Sequence, residues 1–449
     1  MALIPSSAGK QFIDYDRRTP SLRHFALDNE IFANIYFAKG FIAKNFIVRQ
    51  KMQNLIGPPV TGDNLFGREY ELDTLWARLG RGEHILMLAP RRVGKSSLMM
   101  ELCRNPRPNW HAIYVDLQAG DSAEDCFAAI LAALASHPEY RTWLEAIPFR
   151  KSVGDLLRGL TVSAKIEVLR VDFKAAMSGD WQHTADQLQN RLANLPNPDE
   201  KLLLVLDELP MLVSRILKKD DGVAETDLLL SKLREMRLSE SWSNRIQTLV
   251  GGSIGLEGIL RRIGLSATVN DLSPFPVNSW DQDTAGKFLK GLGTDEGFPL
   301  TNEHIARMLE LLGDPNPYLV QLFFGAAKDA CSGQIGRLSI ETIDRCFHDR
   351  LTGPSGTPHL DHYAERLETI LTAPEIEMAR AILAKACRSK DGVKRADLSE
   401  EEDRDETIFM FALRQIESDG YVVWDGNSAR FPSNLLRQWW KRYQAPKER

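Results

Sequence analysis

Short apolar runs alternate with longer amphipathic stretches between residues 64 and 275. The runs His84–Leu88, Ala112–Asp116, Leu202–Leu206 and Gln247–Gly251 each end near a polar residue, a glycine or a proline. Runs that are apolar throughout, rather than alternating, suit strands covered on both faces. Helical spacing lies between them, as in Ser97–Cys103 and Ala123–Leu134. Strands alternating with helices predict an α/β fold built on a parallel sheet sandwiched by helices. Thr161–Phe173 alternates in places and reads as a small hairpin insertion.

Beyond residue 276 the pattern turns helical, with helices predicted over Thr284–Leu292, Asn302–Leu312 and Tyr318–Ala330. Gly353–Pro358 reads as a linker. A final module follows, with helical patterns at His362–Leu371, Pro374–Arg388 and Asp405–Asp419. Two short strand runs flank Asp425-Gly426, a hairpin turn signal. A last helix is predicted from Asn434 to Tyr443, and helices followed by a two-stranded wing predict a winged helix. At the other end, apolar residues from Ile31 to Ile47 fit a helical face, and Ile56-Gly-Pro-Pro-Val60 breaks the pattern. The expected divisions are an N-terminal arm (1–60), a sheet domain (61–275), an all-α lid (276–355) and a winged-helix domain (356–449).

Composition narrows the function classes. The 449 residues leave room for several domains, and 43% hydrophobic with 26% charged residues excludes wholesale disorder. A net charge of −5 counts against a protein built mainly to coat nucleic acid. The five cysteines never approach a CxxC spacing, so neither a disulfide framework nor a structural zinc site is expected. No signal-peptide core and no long uncharged apolar stretch is present, so a cytoplasmic protein without a membrane span is expected.

The chemistry concentrates in two motifs. Ala89-Pro-Arg-Arg-Val-Gly94-Lys95-Ser96 nearly matches GxxxxGK[ST], with an apolar strand before it and an amphipathic helix after it. Backbone N–H groups at the helix start would face phosphates. Lys95 would reach the β- and γ-phosphates, and Ser96 would ligate Mg2+. The first glycine is replaced by Ala89, which costs about 1 kcal/mol if that position needs positive φ. The second motif, Lys201-Leu-Leu-Leu-Val-Leu-Asp207-Glu208, is an apolar strand delivering two carboxylates. Asp207 would hold Mg2+ through water, and Glu208 would polarise attacking water as a general base. A third strand, Gln247–Ser253, ends in small residues, with Ser253 placed as a γ-phosphate sensor.

Together, Phe66-Gly67-Arg68-Glu69, Ala89–Ser97, Asp207-Glu208 and Gly252-Ser-Ile-Gly-Leu256 resemble the archaeal-type P-loop ATPases, relatives of the AAA+ and STAND families. The resemblance runs from about Asn64 to the C-terminus. It implies that Phe66, Gly67 and Arg68 lie near adenine, and that Pro90, Arg91, Arg92, Val93, Gly94, Lys95, Ser96 and Ser97 cradle the nucleotide. It further implies Ser96 and Asp207 toward the metal, Glu208, Lys95 and Ser253 in catalysis, and a sensor strand between the other two motif strands. Gly313–Tyr318 is similar to the family's Gly-x-Pro element, with Pro315 and Pro317 competing for the role. An arginine finger is open among Arg91, Arg92, Arg234, Arg237, Arg261 and Arg262. The function implied is a slow, regulated, Mg2+-dependent ATPase switch that gates assembly or a partner effector, in a bacterial stress or phage-defence system. A partner protein is expected because no fused effector motif is present, and homo-oligomers on ATP binding are open.

The alternative is a DNA-binding initiator or loader acting through the winged helix. Charge opposes it. Residues 360–449 carry 15 Lys and Arg against 17 Asp and Glu, whereas residues 1–60 carry eight bases against four acids. The presumptive groove-reading helix, Asp405–Asp419, offers Arg414 against Asp405, Glu406, Glu417 and Asp419. Those carboxylates would repel phosphates.

Overall fold

Alternate side chains of the apolar runs enter two different hydrophobic layers, and this sets the architecture. The computed structural model describes residues 51–145, 165–252 (apart from 178, 195, 196 and 198), 255–398 and 405–445. Strands β1 (Ile85–Leu88), β2 (Trp110–Asp116), β3 (Lys201–Asp207), β4 (Ile246–Gly252) and β5 (Ser273–Pro276) form a parallel sheet in the order β2-β3-β4-β1-β5. Leu203, Val205 and Leu249 pack on one side with Leu98, Met99 and Leu102 of the helix Lys95–Arg104. Leu202, Leu204, Leu206, Ile246 and Val250 pack on the other with the helices Ala123–Ala135, Leu209–Ile216 and Gly222–Leu238. Doubly buried strands have no polar face, which explains the unbroken apolar runs. β4 lies between β1 and β3, as the resemblance implied.

Register brings the motif ends together. Asp116 lies beside Asp207, and Leu88 beside Gly252. β5 carried no apolar run in the sequence, because Pro274 and Pro276 interrupt it. At the sheet edge a missing backbone N–H is tolerated.

Three expectations are corrected. Residues 166–173 belong to the helix Ile166–Met177, not to a hairpin; positions 161–164 lie outside the described residues. Leu169, Phe173 and Met177 recur every four residues, and that buried stripe wins over the local alternation. Gly353–Pro358 is not a linker. The chain runs from the π-helical Cys346–Leu351 through a turn into the helix Thr357–Ile370, with Leu351 and Leu360 in one core. Residues 51–60 are not part of an arm, since Lys51–Arg449 forms one unit. Met52 is buried, its N–H donates to Asp295, and Asn54 N–H donates to Glu296.

C-terminal to the sheet, the helices Gln282–Asp295, Asn302–Leu312 and Pro317–Ala330 have the places expected of them. The helices Thr357–Ile370, Ala373–Ala386, Glu406–Ser418 and Asn434–Tyr443 follow, with a small antiparallel sheet of β6 (Val393–Lys394), β7 (Val423–Asp425) and β8 (Ser428–Arg430). One hydrophobic core runs from Met52 and Trp280 to Trp440. Asn434 Nδ2 donates to Leu311 O, and Gly313 bridges to Ser433.

Candidate functional site

A cavity of about 380 Å3 opens over the C-terminal ends of β1 and β3, within the ~300–1,000 Å3 range of small-molecule sites. Its polar floor is the loop 89–94 and the start of the helix Lys95–Arg104. Gly94 is left-handed, at φ 98°, and so is Arg92, at φ 66°. Ala89 is not among the described residues with positive φ, so the substitution there stores no such strain. The unusual backbone falls on Arg92 instead. Gly94 caps the helix without a side chain, which leaves its first N–H groups free to face an anion.

Asp207 is the centre of the polar network. Lys95 Nζ lies 2.7 Å from its Oδ1 and 3.3 Å from Glu208 Oε1. Ser96 Oγ and Tyr114 Oη each donate to Oδ2 at 2.8 Å. The Glu208 N–H donates to Oδ1 at 2.9 Å. Burial alone would raise the Asp207 pKa. The Lys95 ammonium and the hydrogen bonds from Lys95, Tyr114 and Ser96 outweigh that and hold it below the ordinary carboxylate value. Burial, then the Asp207 charge, push the Tyr114 phenol up, so it stays a donor. Glu208 is left-handed (φ 60°) at the strand-to-helix turn and lines the cavity. Carboxylate and hydroxyl oxygens side by side are a hard donor set that fits Mg2+. Gly251 and Gly252 leave room here: a Cβ on Gly251 would stand 1.7 Å from Met99 Cε and 3.3 Å from Asp207 Oδ1.

Part of the cavity lining is aromatic. Phe66, Trp280 and Phe288 pack within 6.2 Å of one another, centroid to centroid. All three line the cavity that Lys95 also lines. Leu55 and Gly57–Val60 form a further wall. The Ser97 hydroxyl, placed at the nucleotide in the sequence reading, accepts the Val60 N–H at 3.0 Å and holds that wall. Arg68 and Ser97 both line the cavity, and the Arg68 guanidinium also donates to Val93 O at 2.8 Å and Asn278 O at 2.9 Å and pairs with Glu71. Gly67, at φ 63°, does not line the cavity. Pro90, Arg91, Arg92 and Val93 do. Ser253 lies outside the described residues.

The finger candidates separate. Arg237 is buried against Asp271 at 2.6 Å and Thr268 O, a structural ion pair. Arg234 lies 3.8 Å from the same Asp271. Arg262 donates to both oxygens of Glu375 and stacks on Phe411. Arg92 covers the Tyr318 ring at 4.2 Å. Burial, and repulsion from Arg366 and Arg92, lower the Arg91 pKa. Trp280, Phe288, Tyr114, Gln118 and Gln321 went unnoticed as site residues in the sequence. Only Tyr114 carried a usable signal, as a polar-tipped residue one turn of the pleat before the end of β2.

A parallel sheet in this order, with the loop 89–94 after β1 and a carboxylate pair after β3, has the fold of a solved Walker-type ATPase. The structure is similar to a Walker-type ATPase of Pyrococcus abyssi, at a TM-score of 0.59 with 17% identity, covering 86% of this chain and 99% of that one. It also aligns with the ORC2 protein of Aeropyrum pernix in its ADPNP-ADP complexes (TM-score 0.49, 15% identity, 86% and 95% covered). A third match is the RuvB Holliday-junction branch-migration motor of Thermotoga maritima (TM-score 0.40, 12% identity, 88% and 100% covered). No protein-family model matches the sequence, and no curated protein aligns with it. Among the described residues no helix is long and apolar enough to cross a membrane.

Proposed function

We propose that this chain binds ATP with Mg2+ and hydrolyses it slowly, as a switch that gates assembly or a partner effector. The observation that carries the reading is the convergence of Lys95 and Ser96 on Asp207 beside a cavity that Phe66, Trp280 and Phe288 also line. Lys95 would move from the carboxylate to the phosphates, and Ser96 and Asp207 would hold the metal, which neutralises phosphate charge. Glu208, already at the cavity edge, would accept a proton from water.

The switch reading draws on what touches the phosphate loop. Asn316 Nδ2 donates to Arg91 O at 3.3 Å, and Arg92 stacks on Tyr318, both at the start of the lid helix Pro317–Ala330. Gly420, just after the helix Glu406–Ser418, sits so close to Pro90 that a Cβ would lie 2.7 Å from the proline Cβ. The loop that would take the phosphate thus touches residues of both C-terminal regions. The setting we assign, from the resemblance to signalling ATPases, is a bacterial stress or phage-defence system in the cytoplasm.

We read residues 356–449 as a winged helix that contacts protein rather than DNA. Its helix Glu406–Ser418 packs near the helix Leu256–Arg262 and exposes acidic side chains. The expected outcomes are loss of ATP binding in Lys95→Ala, and retained binding with at least ~100-fold slower phosphate release in Glu208→Gln. Calorimetry and a phosphate-release assay check them. Undiminished ATP affinity in Lys95→Ala would sink the site assignment.

A further inference from the structure

Tyr114 belongs to neither phosphate motif, yet it supplies one of the four hydrogen bonds to the Asp207 carboxylate at distances of 2.7–2.9 Å. Its Oη lies 2.8 Å from Asp207 Oδ2, the oxygen that Ser96 Oγ also reaches at 2.8 Å. The other oxygen accepts from Lys95 Nζ at 2.7 Å and from the Glu208 N–H at 2.9 Å. Two of these four donors are not permanent. In the ATP-site reading, on which this inference rests, Lys95 turns to phosphate and Ser96 to the metal. Tyr114 and the Glu208 N–H have no such second duty.

Strand pairing delivers Tyr114 to that position. β2 and β3 run parallel with Tyr114 beside Val205 and Asp116 beside Asp207. Val205 and Asp207 share a face of β3, because side chains alternate along a strand. A residue as long as tyrosine, one step back on the neighbouring strand, spans the diagonal to the carboxylate. The ring is partly buried against the hydrophobic layer that includes Leu203 and Val205. Its rotamer is therefore fixed by packing, and its hydroxyl, which has one proton to give, gives it to Asp207.

We propose that Tyr114 is a positioning residue for the metal site. It holds the Asp207 carboxylate in place while Lys95 and Ser96 exchange Asp207 for nucleotide and metal. It touches neither nucleotide nor metal itself. Partners of this kind set metal affinity, and their removal typically costs about tenfold or more.

The test uses the full chain with AMPPNP and Mn2+, reading free Mn2+ by electron paramagnetic resonance. Tyr114→Phe keeps the ring and removes the hydroxyl. Expected is a Mn2+ dissociation constant raised about tenfold in the presence of AMPPNP. The metal-free affinity for AMPPNP should change less than about twofold, and the unfolding temperature by no more than about 2 °C, since only an oxygen is lost. In an Asp207→Asn background, Tyr114→Phe should add nothing further, because its effect passes through that carboxylate. Wild-type Mn2+ affinity in Tyr114→Phe overturns the proposal, and so does an additive loss in the double variant. Failure of the wild type to bind AMPPNP at all is a different result, which overturns the ATP-site reading beneath it.

Discussion

His84 is kept neutral by its surroundings. Its Nδ1 accepts the Thr248 N–H at 3.0 Å, which leaves Nε2 to donate to Arg237 O at 3.1 Å, so the ring ties β1 to β4 in one tautomer. Burial, then the nearby Arg237 cation, push its pKa from 6.5 down to about 4. The folded value is the lower one, so the unfolded chain takes up the proton first as pH falls. Stability from this group is complete above about pH 6.5 and is lost between there and about pH 4, by ~2–4 kcal/mol. Urea unfolding across that range should show the loss, with a shallower slope in His84→Gln. His362, pushed by burial and by Arg91, Arg92 and Arg366 to about 3, adds slope of the same sign. The variant comparison isolates His84, and an unchanged slope would remove it as the cause. At this scale the sequence was readable where chemistry is carried by short-range order. Lys95, Ser96, Asp207 and Glu208 declare themselves by spacing to a strand or helix end. Arg237 and Arg262 do not, because whether an arginine is a buried partner or a free cation depends on Asp271 and Glu375, far away in sequence.

Elements were legible where one hydrophobic period ran unopposed. The helices Asn302–Leu312 and Asn434–Tyr443 match their expected bounds, and β1 to β4 differ from theirs only at the ends. The helix Ile166–Met177 was misread because Val168, Val171 and Glu167 break its apolar stripe with exposed positions. β5 was missed because its two prolines erase the strand signal. The glycines ending β4 make a graded prediction. A Cβ at Gly251 meets the end of a flexible side chain, Met99 Cε at 1.7 Å. A Cβ at Gly252 meets the Pro210 ring, at 2.3 Å from Cγ and 2.4 Å from Cδ. Methionine can change rotamer and a proline ring cannot. Gly252→Ala should therefore destabilise by about 2–3 kcal/mol and Gly251→Ala by about 1 kcal/mol. Chemical denaturation orders them, and equal costs would mean that β4 itself shifts.

Among the described residues, one core joins the helices Gln282–Asp295, Asn302–Leu312 and Pro317–Ala330 to the C-terminal helices, and hydrogen bonds, an ion pair and ring contacts tie them to the residues around the sheet. The polar contacts are where an ATP signal would be felt. Arg262, at the end of the helix Leu256–Arg262, is the principal one away from the cavity. It donates at 2.9 and 2.8 Å to the two carboxylate oxygens of Glu375 and lies 4.1 Å over the Phe411 ring of the helix Glu406–Ser418. Glu375 is already fixed by the capping box it forms with Thr372, so little side-chain entropy opposes the pair. Because Arg262 is 36% exposed, water screens the ion pair, and the pair with the aromatic contact is worth about 1–2 kcal/mol. Arg262→Ala should then speed hydrogen exchange across Glu406–Ser418 by about fivefold to thirtyfold while leaving β3 and β4 unchanged. The localisation is the informative part. A uniform acceleration in all three elements would mean global destabilisation, and no acceleration would mean that the apolar side of the helix holds it without Arg262.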